Sequence, residues 1–346
     1  MKQLIIRIIF LAIILQLGVN VVASAQTTPV QPEPHSPVYK TLAEIPKTAQ
    51  QVKVGFYGQN VYGLDPSSNT YYMDFYMWLK WKGSINPTTK LEFMNGVDDW
   101  GATQVPTYEQ PKQLPDGSLL QVIRVEGRFT EPFKFVRYPL DRQRLGVTIE
   151  DSLHTINQLI YVPDNEQSGY AKGISIPGWN FEKSQTLQLS HKYDTNFGEP
   201  SNGDNTSTFA TIRYELLVSR PVSFFAWKLL LPLIIVLLAS WGALLLDPLR
   251  VDSRIALTIT TLLTTVFLQQ SYSSDLPAIS YLVLLDKIYV LAYVLIIAAI
   301  LETILTADIV RSEKTEAIER VKQIDRAFLI GNLVVSFVGV TLLLLL

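Results

Sequence analysis

The stretch Pro248–Pro277, PLRVDSRIALTITTLLTTVFLQQSYSSDLP, restricts the fold more than any other part of the chain. It reads as a helix, yet one too polar to face lipid. Thr258, Thr260, Thr261, Thr264 and Thr265 interrupt the apolar run, and Gln269, Gln270 and Ser271 follow it. In hydrocarbon such side chains need partners or water, so one side of this helix is expected to be wet. Steps of three and four from Asp252 collect Asp252, Ala256, Thr260, Leu263, Phe267, Gln270 and Ser274 on one face. That face runs from an acid, through small and hydroxyl groups, to a bulky apolar collar and back to polar groups. One such helix cannot enclose a passage. Several copies around an axis can, and the stripe then supplies a charged ring, a polar barrel and a hydrophobic constriction. The competing reading is a helix buried in a bundle, its threonines bonded to backbone.

Composition agrees with a membrane protein that is not helical throughout: 48% of the 346 residues are hydrophobic and 17% charged, with the apolar excess in the last third. The net charge of −2 carries no sign of nucleic-acid or anionic-membrane binding. There is no cysteine, which excludes disulfides, thiolate chemistry and cysteine metal sites. Residues 1–25 read as a signal peptide: Lys2 and Arg7, an apolar core from Ile5 to Leu17, then Ala23-Ser24-Ala25 as a cleavage motif. The alternative is a further membrane helix. Export without cysteine points to a bacterial envelope. Residues 26–37, rich in Pro and Thr, are expected to be a flexible leader.

Residues 38–219 show short alternating segments between Gly, Pro, Asn and Asp, including Tyr71–Trp81, Leu119–Phe129, Leu145–Ile149, Leu187–Leu189 and Thr208–Val218. That pattern predicts a β-sandwich. Along Tyr72–Leu79 the alternation is poor, so both faces are expected to be covered, as at a subunit interface. Residues 220–346 hold four candidate spans, about 222–246 with Pro232 as a kink, 253–272, 280–306 and 327–346. The linkers before the second and fourth spans carry Arg250, Arg254, Arg311, Lys314, Arg320, Lys322 and Arg326, and Ser273–Ile279 carries no Lys or Arg. Positive charge therefore lies inside, and the sandwich and both termini outside.

Several motifs resemble one family. Phe135-Val136-Arg137-Tyr138-Pro139-Leu140-Asp141-Arg142-Gln143-Arg144-Leu145 resembles the Cys-loop motif of the pentameric ligand-gated ion channels. Glu131 and Leu145 stand where animal receptors have its two cysteines, a substitution usual in bacterial members. Arg220, Leu231-Pro232, Leu262-Leu263 and Leu276-Pro277 resemble further family positions, in the family's order. The resemblance covers nearly all of residues 40–346 and implies a periplasmic β-sandwich followed by a four-helix transmembrane bundle. It further implies a homopentamer around a central pore in the bacterial inner membrane, in contact with lipid.

On that resemblance Asp252, Ala256, Thr260, Leu263, Phe267 and Gln270 line the pore. Asp252 then sets selectivity for permeant cations, with helix N-capping as its other reading. Leu263 and Phe267 form the gate, and Asp65, Asp141, Arg220, Leu276 and Pro277 couple the sandwich to it. Arg254 is left open, toward the axis or away from it. A small-molecule agonist, an amine by the aromatic character of the site, would bind between sandwiches among Tyr76, Trp78, Phe93, Trp179, Tyr193 and Phe197. Around Glu150-Asp151-Ser152 the tryptophan often found in animal receptors is missing. Protons are the rival agonist, and with only three histidines their sensing would rest mainly on carboxylates. A non-conducting envelope sensor is the other class. No enzyme, metal, nucleotide-cofactor or nucleic-acid motif is present.

Overall fold

A computed structural model describes residues 39–41, 46, 48–97, 102–198, 205–274, 276–311 and 314–345. The expected signal peptide and leader lie outside these. The chain divides into two units: the strands up to Arg220 without Phe135–Asp141, and Phe135–Asp141 together with Pro221–Leu346.

The first unit is built of two sheets. One has the order β1(Tyr39–Thr41), β11(Asn180–Tyr193), β12(Ser207–Ser219), β8(Arg142–Asp151), β4(Leu91–Phe93). The other has the order β10(Gly169–Tyr170), β2(Gln50–Asp65), β3(Thr70–Trp81), β7(Leu119–Thr130), β5(Thr103–Pro106), with β6(Lys112–Gln113) on β7 and β9(Leu159–Pro163) on β2. The expected sandwich is present. Strand β3 does alternate: Tyr71, Met73, Phe75, Met77, Leu79 and Trp81 are buried on one face. Its other face is only partly covered: Tyr72 is exposed and Tyr76, Trp78 and Lys80 are half-buried, while Arg124 pairs with Asp74 at 2.8 Å and Trp78 Nε1 donates to Asp164 at 3.1 Å.

Strand β2 escapes a pattern search because Gly55, Gly58 and Gly63 break its alternation. The glycines leave room for aromatic rings: a Cβ on Gly55 would collide with Trp78, and one on Gly58 would lie 2.8 Å from the Tyr214 hydroxyl. Behind them, Phe75, Phe93 and Phe129 pack edge-on or tilted at 6.0–6.4 Å between centroids.

Among the described residues, the second unit contains four helices long and apolar enough to cross a membrane: α1 (Val222–Ala243), α2 (Val251–Ser273), α3 (Leu284–Val310) and α4 (Thr315–Leu345). In α1 a π-helical turn, Phe225–Leu230, immediately precedes Pro232. A proline supplies no N–H to the carbonyl four residues back, and a wider turn accommodates that gap. Helix α4 is longer than the span expected at about 327–346. It begins at Thr315 and takes in Arg320, Lys322 and Arg326, which had read as a linker. Its 31 residues make about 46 Å of helix, longer than the ~30 Å hydrocarbon layer. Charged residues with good helix propensity extend it at one end.

Within the sandwich the position expected for one Cys-loop cysteine carries a different cross-link. Glu131 receives Arg213 Nη2 at 2.8 Å, and Arg213 Nε reaches Glu215 at 3.0 Å. Arg213 also donates to Thr148 Oγ1 at 3.2 Å. Glu215 is almost fully buried, so removing the guanidinium takes away its nearest charge partner and leaves it, among the described residues, only Gln185 and, at 3.9 Å, Arg144. Arg213→Ala is expected to cost about 3–5 kcal/mol per protomer, read as a lowered thermal midpoint of the whole protein.

Candidate functional sites

Helix α2 has two different faces. Arg254, Thr258, Thr261, Thr265 and Tyr272 are buried against the rest of the unit. Asp252, Ala256, Thr260, Leu263, Phe267, Gln270 and Ser274, the stripe picked out by periodicity, are all exposed. Leu263 is 55% and Phe267 66% exposed, unusual for large apolar side chains halfway along a helix. The threonines satisfy themselves: each hydroxyl donates to a carbonyl one turn back, at 2.7–2.8 Å for Thr258, Thr260, Thr261, Thr264 and Thr265. The helix thus has a buried side and an exposed side. The buried threonines belong to the bundle, and the stripe is exposed among the described residues.

Arg254, left open by the sequence, turns into its own bundle and is 1% exposed. Its Nε donates to the Ala243 carbonyl at 3.1 Å and its Nη2 to Asp325 at 2.7 Å, with Glu302 at 3.8 Å. Neither acid was singled out from the sequence. The available signal was an acid within an apolar helix, which needs a partner.

At the far end of β11 a second cluster forms. Tyr193 meets His191, Phe197 and Phe209 at 4.0, 5.0 and 5.6 Å between ring centroids. Its hydroxyl donates to Glu150 Oε1 at 2.9 Å, and His191 Nδ1 lies 3.2 Å from Glu150 Oε2. The β8–β12–β11 registers Glu150↔Thr211 and His191↔Phe209 bring these residues together. Next to it, Asp151 holds His154 Nδ1 at 2.9 Å.

The other agonist candidates lie elsewhere. Tyr76 and Trp78 are on β3 in the other sheet, with the Arg124 guanidinium 5.9 Å from the Tyr76 ring centroid. Phe93 packs into the interior against Phe75 and Phe129. Trp179 precedes the opposite end of β11, under the Arg220 guanidinium at 4.3 Å. Glu150 and His191 were not chosen from the sequence, because their pairing depends on strand register.

Of the coupling candidates, Asp65 closes the β2–β3 turn on Ser67 and Ser68 and is held down at about 2 by those hydroxyls. Asp141 is buried. The segment Phe135–Asp141 supplies what the start of α3 lacks: Leu284 N–H donates to Val136 O at 2.9 Å and Leu285 N–H to Tyr138 O at 3.2 Å. Tyr138 also lies against Tyr272, 6.3 Å between centroids, and Tyr272 donates to Asp286 at 2.6 Å. Leu276 and Pro277, on the connection between α2 and α3, are half-buried.

Comparison with known proteins finds receptor channels among those similar in sequence. The chain is 27% identical over 205 residues to a glutamate-gated chloride channel of Drosophila melanogaster, covering 59% of this chain and 42% of that protein. It is 26% identical over 189 residues to a gamma-aminobutyric acid receptor subunit beta of Lymnaea stagnalis, covering 54% and 36% respectively. Over about half its length the chain is thus similar to receptor channels of the Cys-loop kind. A gamma-aminobutyric acid receptor subunit beta-like protein of Drosophila melanogaster is 29% identical over 171 residues, covering 48% of this chain and 31% of its own length. The chain thus spans less than half the length of these Cys-loop relatives at each match. No family model matches it. Relatives of this kind are receptor channels and not enzymes.

Glu150 is raised from its ordinary 4.5 to about 7, first by burial, against the Tyr193 hydrogen bond and with help from Glu92 and Asp151. Burial lowers His191. The folded protein thus keeps a proton on Glu150 that the unfolded chain releases, and this stabilisation is lost as pH rises through the window from 4.5 to about 7. Lowered His191 gives the opposite slope, its contribution being lost as pH falls. Glu150→Gln leaves that slope in place and removes the first. Thermal melts are expected to find the variant about equal to the unsubstituted protein near pH 4, and more stable by up to roughly 3 kcal/mol per protomer near pH 8.

Proposed function

We propose that this chain forms a homopentameric, ligand-gated, cation-selective channel in a bacterial inner membrane, with the sandwich in the periplasm and α2 lining the pore. The observation that carries the proposal is the exposed stripe of α2. An acid, hydroxyls, Leu263 and Phe267 share one uncovered face on a helix long enough to span hydrocarbon. Packing five such faces around an axis gives each side chain a role: Asp252 as a ring at the cytosolic mouth, Thr260 as a wet wall, Leu263 and Phe267 as a dewetting gate. Lipid surrounds the remaining helices. Asp65, Asp141, Arg220, Leu276 and Pro277 carry motion from the sandwich to the gate.

Cation selectivity is supported by the unequal placement of two charges in the first turn of α2: Asp252 is exposed, while Arg254 is withdrawn and paired with acids, and the exposed Arg250 just before the helix is matched by the exposed Asp247. One relative is a glutamate-gated chloride channel, which favours the opposite selectivity. Asp252→Asn removes the ring of charge and keeps the side chain's size. Reversal potentials under a salt gradient are expected to move toward that of chloride; an unmoved value places the filter elsewhere. Chloride selectivity in the unsubstituted protein would decide for the relative's kind.

The agonist site is assigned to Tyr193, Phe197, Phe209 and Glu150 on one subunit, with Tyr76 and Trp78 contributed by the next. A carboxyl group within a ring of aromatic faces suits an amine, whose positive charge would favour the ionised form of Glu150. Glu150 with His191, and Asp151 with His154, support protons as the alternative stimulus.

Leu263→Ser wets the constriction and lowers the cost of opening. Spontaneous leak across a bilayer, or an agonist response at lower concentration, is the expected result. A silent protein with and without this substitution would favour a sensor that does not conduct.

A further inference from the structure

Resting on the channel reading above, we propose that Glu302 and Asp325 are positioning residues for ion selectivity: from α3 and α4 they cancel the charge of Arg254 behind the pore wall, leaving Asp252 to set the field at the cytosolic mouth.

The argument starts from the spacing on α2. Asp252 and Arg254 are two residues apart, which on a helix places them on nearly opposite sides. Asp252 is exposed and Arg254 is 1% exposed, so the guanidinium has left water. A buried guanidinium within a membrane segment requires acceptors. Three come from three different helices: the Ala243 carbonyl at the end of α1, Asp325 on α4 and Glu302 on α3.

Two features go beyond what anchoring an arginine requires. First, two carboxyl groups face one guanidinium, both 4% exposed, when one would hold it. Second, Asp325 Oδ2 and both Glu302 oxygens find no hydrogen-bond partner among the described residues. Their acceptor capacity is not consumed by packing. What remains is electrostatic, and in a poorly polarisable interior a charge acts over longer distances than in water.

In a pentamer, five arginines would form a positive shell just behind a wall that carries five Asp252 side chains. Uncompensated, that shell would oppose the acidic ring. With Glu302 and Asp325 in place it does not. On this view a pore property is set by α4, a helix that contributes nothing to the proposed pore-lining stripe.

The test uses the full chain reconstituted in bilayers under a potassium chloride gradient. Currents come from spontaneous openings, or from the Leu263→Ser background. In Glu302→Gln with Asp325→Asn, the reversal potential is expected to shift toward that of chloride. Adding Arg254→Gln to these two is expected to return it to the starting value. A merely structural role would lower assembly yield in the double variant and leave the reversal potential of assembled channels unmoved, which overturns the proposal.

If the double variant yields no pentamer, Asp325→Asn alone decides, because it removes the carboxylate at 2.7 Å from Arg254 and leaves Glu302 at 3.8 Å to face the guanidinium. The same shift, smaller, supports the proposal, and no shift overturns it. Should the unsubstituted protein prove chloride-selective, the cation reading fails, while the shift and its reversal by Arg254→Gln still test the compensation. Absence of current in every background overturns both.

Discussion

Helix α2 depends on each threonine hydroxyl donating to the carbonyl one turn behind it. A membrane segment has no water with which to satisfy stray polar groups. By closing these bonds within the helix, Thr258, Thr261 and Thr265 can be buried against neighbouring helices without partners there. Thr260 and Thr264 make the same bond on the open side. A threonine bonded in this way presents its methyl group outward and keeps acceptor capacity on its oxygen. The helix can therefore be packed behind and wetted in front without any change of residue type, and the division into faces is made by Arg254 and Tyr272 on one side and by Asp252 and Phe267 on the other.

The sandwich meets the same requirement by different means. Its buried charges are tied side chain to side chain, through Glu131, Arg213 and Glu215, or through Glu150, His191 and Tyr193. Such groups are expensive to bury and sensitive to the loss of one member. The first set closes the strands near the position of the absent disulfide. The second leaves a titratable carboxyl among aromatic rings at one end of the sheet, where chemistry more than packing explains its presence.

The stripe on α2 was legible because helical periodicity selects a face from spacing alone, and every member chosen is exposed. The inward turn of Arg254 was not legible: its partners lie 48 and 71 residues away on other helices, Glu302 and Asp325, and only packing unites them. Strand β2 was hidden by glycines whose purpose is to admit the rings of Trp78 and Tyr214. In β11 only Leu187–Leu189 stood out of 14 residues, because its partner strands and not its own alternation define its length. Tyr193 and Phe197, chosen from the sequence, do meet in the structure, but Trp179 and Phe93 were drawn in by residue type alone. Glu150 was noted for lacking a tryptophan, and its pairing with His191 needed strand register to be seen.

The carbonyls of Val136 and Tyr138 complete the first turn of α3, where a helix has N–H groups with no partner of its own. The boundary drawn by hydrogen bonds therefore differs from the one drawn along the chain. A polypeptide started at Pro221 would contain all four helices and still leave the amides of Leu284 and Leu285 without those acceptors. The helical unit is discontinuous in sequence, borrowing seven residues, Phe135–Asp141, from between two strands. Exchange of whole domains between relatives at a single junction would separate this borrowed segment from the helix it finishes, so that a working chimaera has to carry the loop along with the helices.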